Sequence, residues 1–162
     1  MRFLLASKKR NVIIALVPEP MNYNELIQLY FERANAMQAY WNLYVIIVGG
    51  LLAFSSMRKQ PAAVTTALVS ILFALFAYEN LDAMHDATAQ RFATLQAIKQ
   101  FDSSGATAPG SKEVRDLLEP TLTPATYESV RATHVTSDVL TIAALWAMEF
   151  RRRRLKKATT TS

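Results

Sequence analysis

The chain has no cysteine, only four glycines and only two histidines among its 162 residues. Lacking thiols, it cannot form disulfides, ligate zinc through sulfur or attack through a thiolate. Its one glycine pair, Gly49-Gly50, is not followed by the basic and hydroxyl residues of a phosphate loop, and neither histidine stands in a recognisable nucleophile motif. No internal repeat is present. The most telling absence is one of charge. No Asp, Glu, Lys or Arg occurs between Arg33 and Arg58, nor between Lys59 and Glu79.

The two uncharged runs are ANAMQAYWNLYVIIVGGLLAFSSM and PAAVTTALVSILFALFAY. Each is close to or above the roughly 20 residues of helix that cross a ~30 Å hydrocarbon core. Only Arg58, Lys59 and Gln60 separate them, followed by Pro61, which suits the first turn of a new helix. A hydrophobic fraction of 51% with 19% charged residues would also suit a soluble protein, so the uneven placement of the charges decides. The pattern is that of a membrane hairpin within a single domain.

Residues 1–20 read as a tail or as a start placed too far upstream, because Lys8, Lys9 and Arg10 precede an apolar run too short for a signal peptide. From Met21 a well-formed helix is expected over 23–57, opened by an Asn22/Glu25 capping box. Its stripe Tyr23, Ile27, Tyr30, Ala34, Met37, Trp41, Tyr44, Val48 and Leu51 recurs at steps of four and three. The bilayer-spanning part is placed at about 37–57. A second helix, 61–100 with its span at about 61–79, continues past the apolar run with Leu81, Met84, Thr88, Phe92, Leu95 and Ile98 on one side. A loop and short helix fill 101–122, with Val114, Leu117 and Leu118 as the short helix's apolar side. Thr123-Pro124 predicts the start of a third long helix, 124–157, which spans at about 133–151 if Asp138 is accepted inside it; 158–162 is expected to be a disordered tail.

The expected fold is therefore all-α: a polytopic membrane protein built on a long antiparallel helical hairpin plus a third helix. The helices run beyond the bilayer into a small soluble half-bundle. Charge then sets the sidedness. Arg58 and Lys59 lie level with Arg151, Arg152, Arg153, Arg154, Lys156 and Lys157, whereas residues 80–137 carry seven acidic against five basic residues. The positive-inside rule puts the C-terminus and the 58–60 turn in the cytoplasm of a cell bounded by this plasma (inner) membrane, with 80–137 outside. The basic groups serve as topology determinants and headgroup contacts.

Polar residues inside such spans are costly and face a bundle interior or a partner. Helix 3 aligns Tyr127, Arg131, His134, Asp138, Thr141, Leu145 and Glu149 on one face, and helix 1 aligns Asn35, Gln38, Asn42, Gly49 and Ser56. Of these, Gln38, Asn42, Gly49, His134, Asp138 and Thr141 are the candidate packing or partner residues. Equal rise along the helices predicts a boundary cluster of Gln38, Asn42, Glu79, Asp82, His85, His134 and Asp138. That cluster reads either as solvated helix surface or, through Glu79, Asp82, His85, His134 and Asp138, as a candidate metal site.

The favoured function is that of a small, non-catalytic integral membrane subunit or scaffold, with the lipid bilayer and either other membrane subunits or itself as partners. No cofactor is predicted. Nucleic acid is disfavoured because six of the eighteen basic residues sit in 151–157, beside an apolar segment. Three spans, an outer amino end and a basic cytoplasmic tail also make a layout that resembles the class I phage holins, which implies a pore- or lesion-forming alternative. A metal-binding or redox protein is the third reading.

Overall fold

The computed structural model describes residues 21–101 and 111–160; the 1–20 segment, the expected loop over 102–110 and residues 161–162 lie outside the described residues. Among those described there are four α-helices and no strand: α1 (Tyr23–Met57), α2 (Ala63–Gln100), α3 (Ser111–Leu118) and α4 (Tyr127–Thr160). A 3-10 turn, Glu119–Thr121, follows α3.

The helix ends have local causes. Asn22 Oδ1 accepts the Glu25 amide at 3.0 Å and Glu25 Oε2 accepts the Asn22 amide at 2.8 Å, so the capping box is complete. α2 begins at Ala63 and not at Pro61, and its cap residue Ala62 offers no side-chain acceptor. The third long helix starts at Tyr127, later than Pro124, because Thr126 is the residue that caps it: its hydroxyl takes the Ser129 amide at 3.4 Å. The same helix continues through Ala158–Thr160, where a disordered tail was expected.

α2 is the central element and packs against both α1 and α4. Three buried clusters run along it. Nearest the α3 end, Leu26 and Tyr30 of α1 meet Leu95 and Ile98 of α2 under Leu122. The middle layer is Met37, Met84, Ala87 and Val130, and the layer toward the 58–62 turn is Tyr44, Phe73 and Ala77. The expected stripes of α1 and α2 supply half of these residues; of the short helix's expected apolar side, Leu118 packs against the first cluster whereas Leu117 is 77% exposed.

One side chain closes the α3 end. Arg115 donates to the Phe101 carbonyl at 2.9 Å and the Ile98 carbonyl at 3.3 Å, pairs with Glu119, and lies over the Tyr23 ring at 5.3 Å. A guanidinium there bonds carbonyls at the C-terminal end of α2 and faces the negative end of its dipole. Burial, followed by the nearby Glu119 carboxylate, raises the Tyr23 phenol above its ordinary value.

α1 and α2 are long and apolar enough to cross a membrane. Only 11% of the apolar window of α1 and 28% of that of α2 are buried within the molecule. A core helix of a soluble bundle hides most of such a window; here Val45, Ile46, Val64, Leu68, Ile71, Leu72 and Leu75 point outward.

Candidate functional site

The inward face of α4 carries the buried Val130, His134, Thr141, Leu145 and Glu149 with the part-buried Asp138 among them, at the steps of three and four that keep side chains on one side of a helix. Arg131 and Tyr127 were expected on that face; Arg131 is exposed and Tyr127 only half-buried, its ring 4.6 Å from that of His85. Two polar sets are built on this stripe.

The first centres on His134, whose side chain is wholly buried. Its Nδ1 lies 2.9 Å from Asp138 Oδ2 and its Nε2 3.1 Å from Asn80 Oδ1. Tyr44 donates its hydroxyl to the other Asp138 oxygen at 2.8 Å, and Asn80 Nδ2 donates to the Tyr40 carbonyl at 3.4 Å. That second bond orients the amide so that its oxygen faces the ring. Both ring nitrogens thus lie within hydrogen-bond distance of a side-chain oxygen. The rings of Tyr44 and Trp41 pack against the imidazole at 4.3 and 5.8 Å between centroids. All three long helices contribute.

The second set surrounds Glu149, also wholly buried. Its Oε2 accepts from the Ala62 amide at 3.2 Å and the Thr66 hydroxyl at 3.4 Å, so α4 supplies the N-terminal acceptor that α2 lacks. Arg152 approaches the same oxygen at 3.4 Å and Arg58 at 3.8 Å, while Arg153 donates to Oε1 at 3.1 Å. Arg152 also donates to the Ser55 carbonyl at 2.7 Å, which ties in the last turn of α1. A carboxylate out of water is tolerable only with this many donors.

The two sets do not communicate. Asp138 and Glu149 are three helical turns apart, about 16 Å at the α-helical rise. Between them Thr141 donates back to its own helix at the Ser137 carbonyl, 2.8 Å, and Leu145 and Phe73 fill the interior.

The predicted boundary cluster is not assembled. His134 and Asp138 are together, but Glu79 and Asp82 are exposed and His85 faces outward against Asp86 at 3.5 Å. Gln38 and Asn42 are exposed too and bonded to each other at 3.1 Å; with Gly49 they lie on a different side of α1 from the buried Tyr30, Met37 and Tyr44. Neither side chain therefore joins His134 and Asp138. Among the described residues no three His, Asp or Glu side chains are placed to hold a metal, and both nitrogens of His134 are engaged by protein atoms.

Nothing matches this chain: no family model, no curated protein and no solved structure. The chemistry therefore has to be read from the residues alone. The sequence pattern did not reveal Asn80 as the partner of His134 and Tyr44 as that of Asp138, or Arg58 and Arg152 as partners of Glu149. Asn80 had one usable signal, a polar residue two positions past the end of the second uncharged run.

Proposed function

We propose that this chain is a non-catalytic integral membrane subunit in which all three long helices cross the bilayer. The C-terminus and the 58–62 turn would face the cytoplasm, and α3 with the adjoining ends of α1 and α2 would stand outside. The low burial of the α1 and α2 apolar windows supports membrane insertion. For α4, the ionisable residues between 134 and 149 (His134, Asp138 and Glu149) are turned inward. Its outward residues at the same level are, apart from Thr136, apolar: Val135, Val139, Leu140, Ala143, Ala147 and Phe150, all exposed.

The observation that carries the subunit reading is a contrast within the molecule. The His134, Asp138 and Glu149 side chains of α4 find their partners inside the molecule, while the exposed side of α1 holds Gln38, Asn42, Gly49 and Ala53 with no helix against them. In lipid, small residues allow close helix approach and amides bond across the contact for about 1 kcal/mol each. A Cβ added at Gly49 would meet nothing within 4 Å, so the glycine is not demanded by this fold.

The absence of cysteine makes the test clean. Ala53→Cys should crosslink to a second copy or to a membrane partner in native membranes. Leu75→Cys, on the exposed side of α2, should give much less. Adding Gly49→Leu to the Ala53→Cys chain should remove the adduct and leave the fold intact. Equal yields at positions 53 and 75 would sink the proposal.

A further inference from the structure

The four consecutive arginines of α4 do not share one role. Arg152 and Arg153 turn toward Glu149. Arg151 and Arg154 point the other way, both exposed, and no carboxylate among the described residues pairs with either. One helical step apart, they border a shallow groove of about 400 Å³ whose remaining lining is Ala147, Phe150 and Leu155. Phe150 and Leu155 are 52% and 60% exposed.

We propose that this groove binds an anionic glycerophospholipid of the leaflet that faces the C-terminus; the inference rests on the membrane reading of α4 given above. The shape of the chemistry argues for an amphiphile. Guanidiniums present fixed N–H forks that match phosphate oxygens. Directly beside them the lining becomes apolar at Phe150 and Ala147, and the outward strip continues through Ala143, Leu140 and Val139 toward the bilayer interior. A soluble polyanion would leave that strip uncovered, whereas acyl chains cover it. Glu149 sharpens the site by drawing Arg58 and Arg152 inward and pairing with Arg153.

The test uses the full chain in nanodiscs of phosphatidylcholine, with and without phosphatidylglycerol, followed by native mass spectrometry of lipid retained after mild delipidation. Wild type should retain phosphatidylglycerol in preference to phosphatidylcholine. The double variant R151Q/R154Q should lose that preference by roughly thirtyfold, about a factor of five for each cation at the headgroup level. The variant R131Q/K99Q removes the same net charge from exposed positions near the far end and should retain the lipid as wild type does. Equal loss in both variants would mean diffuse attraction and overturn the site, as would unchanged retention in R151Q/R154Q. Insertion into nanodiscs without any preference for phosphatidylglycerol overturns this inference alone. A chain that stays in solution and enters no disc overturns the membrane reading with it.

Discussion

At the residue scale, the molecule turns on how its few buried polar side chains are matched. His134 and Asp138 form a pair in which each heteroatom has a protein partner: Asn80 on one side, Tyr44 on the other. Removing one member of such a pair leaves an uncompensated charge or acceptor, which typically costs 3–5 kcal/mol, whereas replacing both with apolar residues is close to neutral. His134→Leu should therefore destabilise the bundle by about 3–5 kcal/mol. The double variant His134→Leu/Asp138→Leu should recover most of that loss, read as unfolding midpoints in detergent titrations. If the single variant is as stable as wild type, the pair does not hold the helices together. If the double variant is well folded and yet biologically inactive, the pair has a chemical role and the non-catalytic reading fails.

At the element scale, the two ends of α2 are finished by residues from elsewhere in the chain. Glu149 of α4 stands in as its N-terminal acceptor, and Arg115 takes two carbonyls at its C-terminal end. Hydrogen bonds from a charged donor contribute ≈ 1.5–3 kcal/mol each before the loss of ring contact is counted. Arg115→Ala should accordingly fray the last turn of α2 and loosen Tyr23, with a loss of about 3 kcal/mol, the low end for two such bonds because the guanidinium is partly solvated. Hydrogen exchange would show it as faster exchange confined to residues 97–101, the middle of α2 staying protected. Uniform acceleration along α2 would instead mean that Arg115 supports the whole bundle. The packing forces also differ along the helix. The Leu26–Tyr30–Leu95–Ile98–Leu122 layer, in the proposed soluble half, gains from the hydrophobic effect. The Tyr44–Phe73–Ala77 layer, if lipid surrounds it, gains only from close van der Waals contact and the polar bonds above it.

At the scale of the whole molecule, the proposal is a sidedness. Single cysteines at Lys59, Gln96 and Thr159 occupy exposed or surface positions at opposite ends of the bundle. In intact cells a membrane-impermeant maleimide should label Gln96→Cys, and should reach Lys59→Cys and Thr159→Cys only after permeabilisation. The reverse pattern would invert the orientation. Labelling of all three without permeabilisation, together with release of the chain by alkaline carbonate, would remove it from the bilayer.

Much of this architecture was readable from local chemistry. The charge-free runs, the Arg58-Lys59 corner and the Asn22/Glu25 cap depend on neighbours within a few residues, so the chain alone determined that it folds as long helices, two of them apolar enough to cross a membrane. The α1 stripe through Tyr30, Met37 and Tyr44 was legible for the same reason. Direction was not. Where a helix is apolar on every side, no amphipathic contrast says which side meets its neighbours. Gln38 and Asn42 carry the same polar signal as Asn80, yet they point outward and Asn80 points in. Only tertiary packing chose between them, because placing α4 in the groove of α1 and α2 creates the one interior where His134, Asp138 and Glu149 find donors and acceptors.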